Sequence, residues 1–350
     1  MDCNILLLGQ TGVGKSTLLN YLAGKDLAEA GIPLEIGGMT RGIHRYPVKI
    51  NGKQCLVSDS EGFELSNLRY WERLIKKELS ASSQGIGGWY HIVLFCIGAN
   101  GARVQDFELK FLKKILKSGY AVVVALTKTD MASEDDVCSM KQVLNRSFKG
   151  TSQVFVVEVC SDKSSPMGKK ALSDAIMKSW CKSLVNRLPE NVFAPAFSSL
   201  ESWHRLVEGW IEERNMGIFG KRKEDVYEEL KTMVIGKQGT LSNSLKKRMD
   251  DSYSDIKNVF DSLNMVLGIG MDKLNRLSSP KKIKMPSSAV VFTDGFGSTL
   301  IDNLFGGIRR KELQASFRYV YSSLVREYER LQKAYAKELE KSVKALFPDE

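Results

Sequence analysis

No window of the 350-residue sequence approaches the roughly 18 continuous apolar residues that a membrane span requires. The opening Met1-Asp2-Cys3-Asn4 lacks a basic n-region, and the apolar run Ile5–Leu8 is far too short for the core of a signal peptide. The six cysteines (Cys3, Cys55, Cys96, Cys138, Cys160, Cys181) form no CxxC pair and have no histidine nearby at metal-ligand spacing. Several lie inside apolar runs such as "VLFCIG" and "VEVCS", so reduced, buried thiols in a cytoplasmic protein are expected. There is no tandem repeat, no low-complexity segment and no one-sided basic arm.

What remains is an ordinary globular composition, 43% hydrophobic and 26% charged, on a chain long enough for two domains. The net charge of +10 is spread along the sequence with local clusters. These are Lys221-Arg222-Lys223, Lys246-Lys247-Arg248, Lys281-Lys282 with Lys284, and Arg309-Arg310-Lys311. Solvated surface accounts for each of them, and a membrane surface is a candidate contact. Nucleic acid is not an expected partner.

The first half alternates short apolar runs with amphipathic stretches, which predicts strands joined by helices. Strands are expected at 4–8, 44–50, 54–58, 91–97, 121–126 and 154–159. Asn51-Gly52-Lys53 forms the turn of a hairpin between the second and third. Helices are expected at 15–23, 68–79, 106–117, 134–148 and 169–186. Fully apolar strands such as "AVVVAL" imply burial on both faces of a mostly parallel sheet, hence a doubly wound α/β domain over residues 1–188. Pro189 and Pro195 in "NRLPENVFAPAF" are expected to interrupt the helix there. Residues 189–350 then read as a mainly helical domain, with one weak strand-like run at Ser288–Thr293. Its clearest feature is Leu313, Phe317, Val320, Leu324, Tyr328, Leu331, Tyr335 and Leu339, one face of a long amphipathic helix. Packing inside that domain and docking of a partner helix both fit such a stripe.

Chemistry enters at "GQTGVGKST", which follows the first expected strand and opens the first expected helix. Gly9, Gln10, Thr11, Gly12, Val13, Gly14, Lys15, Ser16 and Thr17 satisfy G-x-x-x-x-G-K-[ST]. Glycines let successive backbone N–H groups curl round phosphates, and the helix N-terminus adds its own. Lys15 reaches the outer phosphate oxygens and the Ser16 hydroxyl ligates Mg²⁺. Asp59, in "DSEG" at a strand end, suits the same Mg²⁺ through water, and Gly62 can offer its N–H to a γ-phosphate. In "TKTD", Thr127, Lys128 and Asp130 follow a buried strand at the sheet's carboxyl edge, where nucleotides bind. The Asp130 carboxylate can accept from guanine N1–H and its 2-amino group; adenine would leave it unpaired. That argues against an ATPase or nucleotide kinase. Ser161 and Asp162 in "VCSDK" can cap the base O6 through their backbone.

In order and spacing, these segments resemble the five guanine-nucleotide motifs of the translation-factor-related P-loop GTPases, over about residues 1–186. The segment "GWYHIVLFCIGANGARVQDFELKFLKKI" is similar to septins and immunity-associated GTPases, and "STLLNYLAG" to Era-type enzymes. The resemblance implies GTP and GDP as ligands and Mg²⁺ as cofactor. It also implies that Thr40, in "GGMTRGI", joins the metal shell with Ser16 and Asp59 and senses the γ-phosphate as a switch.

Two departures matter. Where Ras-type enzymes place a water-orienting Gln, this chain has Phe63, so intrinsic hydrolysis should be slow. Gly12 stands where potassium-dependent relatives have Asn. Help must then come from a second protomer, a partner, or local groups, with Arg41 as one candidate. The expected catalytic set is Lys15, Thr40, Gly62 and Arg41. Three functions stay open: a GTP-hydrolysing switch reporting through the helical domain to a protein partner, a dynamin- or septin-like GTPase assembling on membranes, and a non-hydrolysing GTP-bound scaffold. The stretch Asp294–Glu312, apolar and then basic, is the membrane candidate, and a nucleotide-dependent homodimer fits the first two readings.

Overall fold

The structure is a computed structural model that describes residues 2–27, 43–60, 73, 77, 86–151, 154–162, 165–213, 223–267 and 310–346. Its contacts divide the chain into two units, one of residues 1–187, 258–275 and 343–350, the other of residues 188–257 and 276–342.

The first unit is a six-stranded sheet in the order β2-β3-β1-β4-β5-β6. The strands are β1 (Cys3–Gly9), β2 (Ile43–Ile50), β3 (Lys53–Ser60), β4 (Ile92–Gly98), β5 (Ala121–Thr127) and β6 (Val154–Glu158). Only the β2–β3 pair is antiparallel among the described strands. Its turn places Asn51 and Gly52 at φ 48° and 75°, the positive φ that a two-residue hairpin of matching twist requires. β1 sits centrally, and every residue of β5 is buried, as its unbroken apolar run predicts.

Helices cover the sheet: α1 (Lys15–Ala23), α2 (Asp106–Lys117), α3 (Glu134–Ser147) and the start of α4 (Lys169–Glu213). On one face Leu6, Leu8, Val93, Phe95, Val122 and Val124 pack with Phe111, Leu112 and Ile115 of α2 and Val137, Met140 and Leu144 of α3. Burying each such side chain is worth about 1.5–3 kcal/mol. Parallel pairing of β3, β1, β4 and β5 brings their carboxyl ends to one edge of the sheet. Early α4 is fixed by Arg187, whose guanidinium lies 4.6 Å from the Trp89 ring centre and 4.2 Å from that of Tyr120 while donating to the Tyr90 carbonyl at 2.7 Å. The Asn51 amide at the hairpin turn donates to Asp174 of α4 at 2.9 Å.

The expected break at Pro189 and Pro195 does not occur, because α4 runs through both prolines. Each proline removes a bond to a carbonyl four residues back, a cost of about 3 kcal/mol. The stripe Leu188, Val192, Phe193, Ala196, Leu200, Trp203, Val207 and Ile211 is buried throughout and offsets that cost. The Pro189 carbonyl also accepts from the Gln332 amide at 3.4 Å.

The second unit holds the rest of α4 with most of α5 (Lys223–Leu267) and most of α6 (Arg310–Leu346). Phe193 meets Tyr335 at 6.1 Å between ring centres and Trp203 meets Phe317 at 5.2 Å, so α4 and α6 are antiparallel. All eight residues of the α6 stripe are buried, so packing within the helical unit is what the stripe does. The expected helix at 68–79 is represented by Arg73 and Lys77, both helical; its other residues, and the Ser288–Thr293 run, lie outside the described residues.

Candidate nucleotide-binding site

The loop from Gly9 to Gly14 joins the central strand to α1. Gly14 caps the helix at φ 94°, a left-handed conformation that side chains resist, and the first helical bond runs from Leu18 N–H to its carbonyl at 2.9 Å. The N–H groups of the first turn face out of the helix end without intrahelical acceptors, an arrangement that attracts anions. Thr11, Gly12, Ser16 and Thr17 are exposed, Gln10 is half-buried, and Val13 and Lys15 are buried.

Three side chains meet at the phosphate end. The Lys15 ammonium donates to the Gln10 carbonyl at 3.0 Å, across the loop it belongs to. Ser16 Oγ donates to Asp59 Oδ2 at 3.4 Å. Asp59 Oδ1 is buried with no hydrogen-bond partner among the described residues. Burial pushes the Asp59 carboxyl up to about 6, against smaller downward pulls from Lys15, the Ser16 hydroxyl and His44. Burial also lowers Lys15, with Asp59 opposing. A desolvated carboxylate with a free oxygen, next to a hydroxyl and a buried ammonium, fits a divalent cation and a polyphosphate. The residues present therefore suit Mg²⁺, with Ser16 and Asp59 as its holders.

The other end is built on β5. The Thr127 hydroxyl is buried and donates to the Val13 carbonyl, tying the end of β5 to the phosphate loop. Lys128 takes φ 56°, and its stem runs beside the loop, with Cε 3.9 Å from where a Cβ on Gly14 would stand. Asp130 is exposed on the short 3-10 turn Thr129–Met131. It borders a cavity of about 680 Å³ lined also by Val137, Lys141, Glu158, Cys160 and Met167. Ser161 is half-buried and Asp162 exposed, just beyond β6.

Gly9 to Thr17, Asp59, Thr127, Lys128, Asp130, Ser161 and Asp162 thus lie in strand ends, loops, a short 3-10 turn or the first turn of α1, at the carboxyl edge of one sheet. Thr40, Arg41 and Gly62, with Glu61 and Phe63, lie outside the described residues. Two neighbours of the site were not singled out from the sequence. His44 pairs with Asp59 across β2–β3, a register that appears only once the hairpin is formed. Cys160 lines the same cavity as Asp130, and its place just past a buried strand was the available signal.

Comparison with known proteins agrees with this geometry. Residues 4–128 match the family described as 50S ribosome-binding GTPase. GTPase Der of Campylobacter lari is 29% identical over 164 residues, covering 45% of this chain and 33% of that protein. The tRNA modification GTPase MnmE of Pseudothermotoga lettingae is 28% identical over 134 residues, covering 38% of this chain and 28% of its own length. The matches therefore span about a third or less of these relatives. Among solved structures, the G domain of the T. maritima FeoB iron transporter is similar with a TM-score of 0.35 and 18% identity, covering 51% of this chain and 99% of that one. The septin GTPase domain from Chlamydomonas reinhardtii is similar with a TM-score of 0.33 and 13% identity, covering 48% of this chain and 81% of that one. With strand, phosphate loop and base-side turn in their places, the N-terminal part of this chain is a P-loop GTPase domain of the kind found in Der- and MnmE-type GTPases.

Proposed function

We propose that the chain binds GTP and GDP with Mg²⁺, hydrolyses GTP slowly, and uses the exchange of the two as a conformational switch. The observation that carries this reading is the phosphate end of the site. There a buried Asp59 oxygen has no partner among the described residues, 3.4 Å separates the other oxygen from Ser16, and Lys15 rests on a loop carbonyl. In the proposal the amides of Gly9 to Thr17 cradle the phosphates, and Lys15 neutralises charge on the β- and γ-phosphates. Ser16 and Asp59 hold Mg²⁺, which screens the phosphate charge when bound. Asp130 reads the guanine edge, Lys128 lies along the base, and Ser161 and Asp162 close over O6.

Thr40 and Gly62 are the proposed sensors of the γ-phosphate, and Arg41 the proposed local aid to hydrolysis. Phe63 cannot orient water, so fast turnover requires a second copy or a protein partner. The division proposed for the chain is a nucleotide domain over residues 1–188 and a helical domain over residues 189–350 that meets the partner. Single-turnover hydrolysis of GTP, followed as protein concentration rises, tests this. A rate that climbs with concentration supports a self-stimulated enzyme. A flat rate that rises only with added cell extract points to a separate partner. No phosphate release under either condition would leave a GTP-bound scaffold.

A further inference from the structure

Because β4, β5 and β6 run parallel, α2 and α3 each start at the carboxyl edge of the sheet and return the chain to the amino edge. Their C-terminal ends therefore stand at the edge opposite the candidate nucleotide site, on the face where both helices pack over one core. The solvent side of those ends is basic. Lys110, Lys113, Lys114 and Lys117 of α2 are exposed, at spacings that put all four on one side of the helix. Arg146 of α3 and Lys149, just beyond it, are exposed as well.

No acid offsets them along the chain. Residues 109–129 and 137–157, which contain both helix ends, both turns, all of β5 and nearly all of β6, hold no Asp or Glu. Lys110, Lys113, Lys117, Arg146 and Lys149 have no ion-pair partner among the described residues. Asp2, at the amino end of β1, is two strands away from β5. A basic last turn is what the helix dipole favours, and it accounts for Lys114, Lys117 and Arg146. It does not account for Lys110 and Lys113, which precede that turn, nor for the lack of acids.

The partner that fits is a flat anionic surface. Each helix points its C-terminal carbonyls at this edge, and those repel a phosphate brought close to the backbone. The aromatic side chains there, Phe111, Tyr120 and Phe148, are buried and offer no platform for a base. Lysine stems reach past the helix ends and set diffuse charge against headgroups that can rearrange beneath them. We propose that the amino edge of the first unit, through Lys110, Lys113, Lys114, Lys117, Arg146 and Lys149, docks the chain on an anionic lipid bilayer. The contact leaves the loops of the candidate nucleotide site open, and it does not depend on which nucleotide they take.

Co-sedimentation of the full chain with phosphatidylcholine vesicles, with and without phosphatidylserine, tests this. Binding is expected only with phosphatidylserine, and it is lost between about 0.1 M and about 1 M salt, as the Debye length falls from about 10 Å to about 3 Å. Each basic residue near such a surface is worth about fivefold in affinity, so Lys110→Gln/Lys113→Gln/Lys117→Gln lowers binding about a hundredfold. Arg146→Gln/Lys149→Gln lowers it about twentyfold, and carries the test if the first variant does not fold. Removing the same charge from the exposed Lys246, Lys247 and Arg248 of α5, again with glutamine, costs less than about threefold. Equal losses in the α5 variant, or no preference for phosphatidylserine, overturns the proposal. So does a tighter affinity for double-stranded RNA than for the vesicles at equal phosphate concentration.

Discussion

The two ends of the nucleotide site hold their polar groups in opposite ways. At the phosphate end, Lys15 and Asp59 are buried, Asp59 keeps an oxygen unpartnered among the described residues, and burial shifts both groups away from their charged forms. At the base end, Asp130 and Asp162 are exposed and the fixed element is backbone: a left-handed Lys128, a 3-10 turn and the Cys160–Met167 bridge. One end stores electrostatic tension that a phosphate and a cation relieve. The other stores shape, and on the proposed reading its discrimination comes from where a carboxylate stands rather than from how dry it is. The first should therefore dominate affinity and the second selectivity.

The largest break in that contrast comes from Lys15→Ala. It removes the buried ammonium beside Asp59 and is expected to weaken GDP binding by about a hundredfold or more, measured with a fluorescent nucleotide. Asp130→Asn strikes the other end. GDP affinity should fall by about tenfold or more while xanthine nucleotides gain, because the amide now donates where the carboxylate accepted. Thermal unfolding of the ligand-free protein should shift little, by about 0.5 kcal/mol or less, since the side chain is exposed. Asp59→Asn sharpens the comparison further. The gain in GDP affinity on adding Mg²⁺ should shrink by about tenfold, whereas the ligand-free protein keeps or gains stability, because an unpartnered buried carboxylate is a liability in the fold.

The smallest effect concerns pH. Folding raises the Asp59 carboxyl to about 6, so the ligand-free protein holds that proton more tightly than the unfolded chain does. Its contribution to stability is complete below the unfolded carboxyl range and is lost as pH climbs through about 6. Mg²⁺ must bind the deprotonated form. The Mg²⁺-dependent part of GDP affinity should therefore fall a few-fold between about pH 7 and about pH 5.5, as the carboxyl takes up its proton. Isothermal titration across that interval checks it, and Asp59→Asn should flatten the profile.

Much of the α/β unit was legible because its signals are local. The helices at 15–23 and 106–117 follow directly from a phosphate-loop glycine and from apolar spacing, and the Asn51-Gly52 turn announces its hairpin. The course of α4 was not legible. Proline reports a lost backbone bond, whereas the burial of Val192, Phe193 and Leu200 against other helices is a tertiary gain that local reading cannot weigh. At the candidate site, motif spacing alone singles out Gly9 to Thr17, Asp59 and Asp130, whose roles are proposed. It does not reach His44 and Cys160, since strand register and a bridge decide where they stand.

The hydrogen bond from Thr127 to Val13 has one more consequence. It makes the nucleotide a two-headed ligand gripped by a single stiff bracket, so capture of one head raises the effective concentration of the other. Guanosine alone and pyrophosphate alone should each bind far more weakly than half of the joined molecule's free energy suggests.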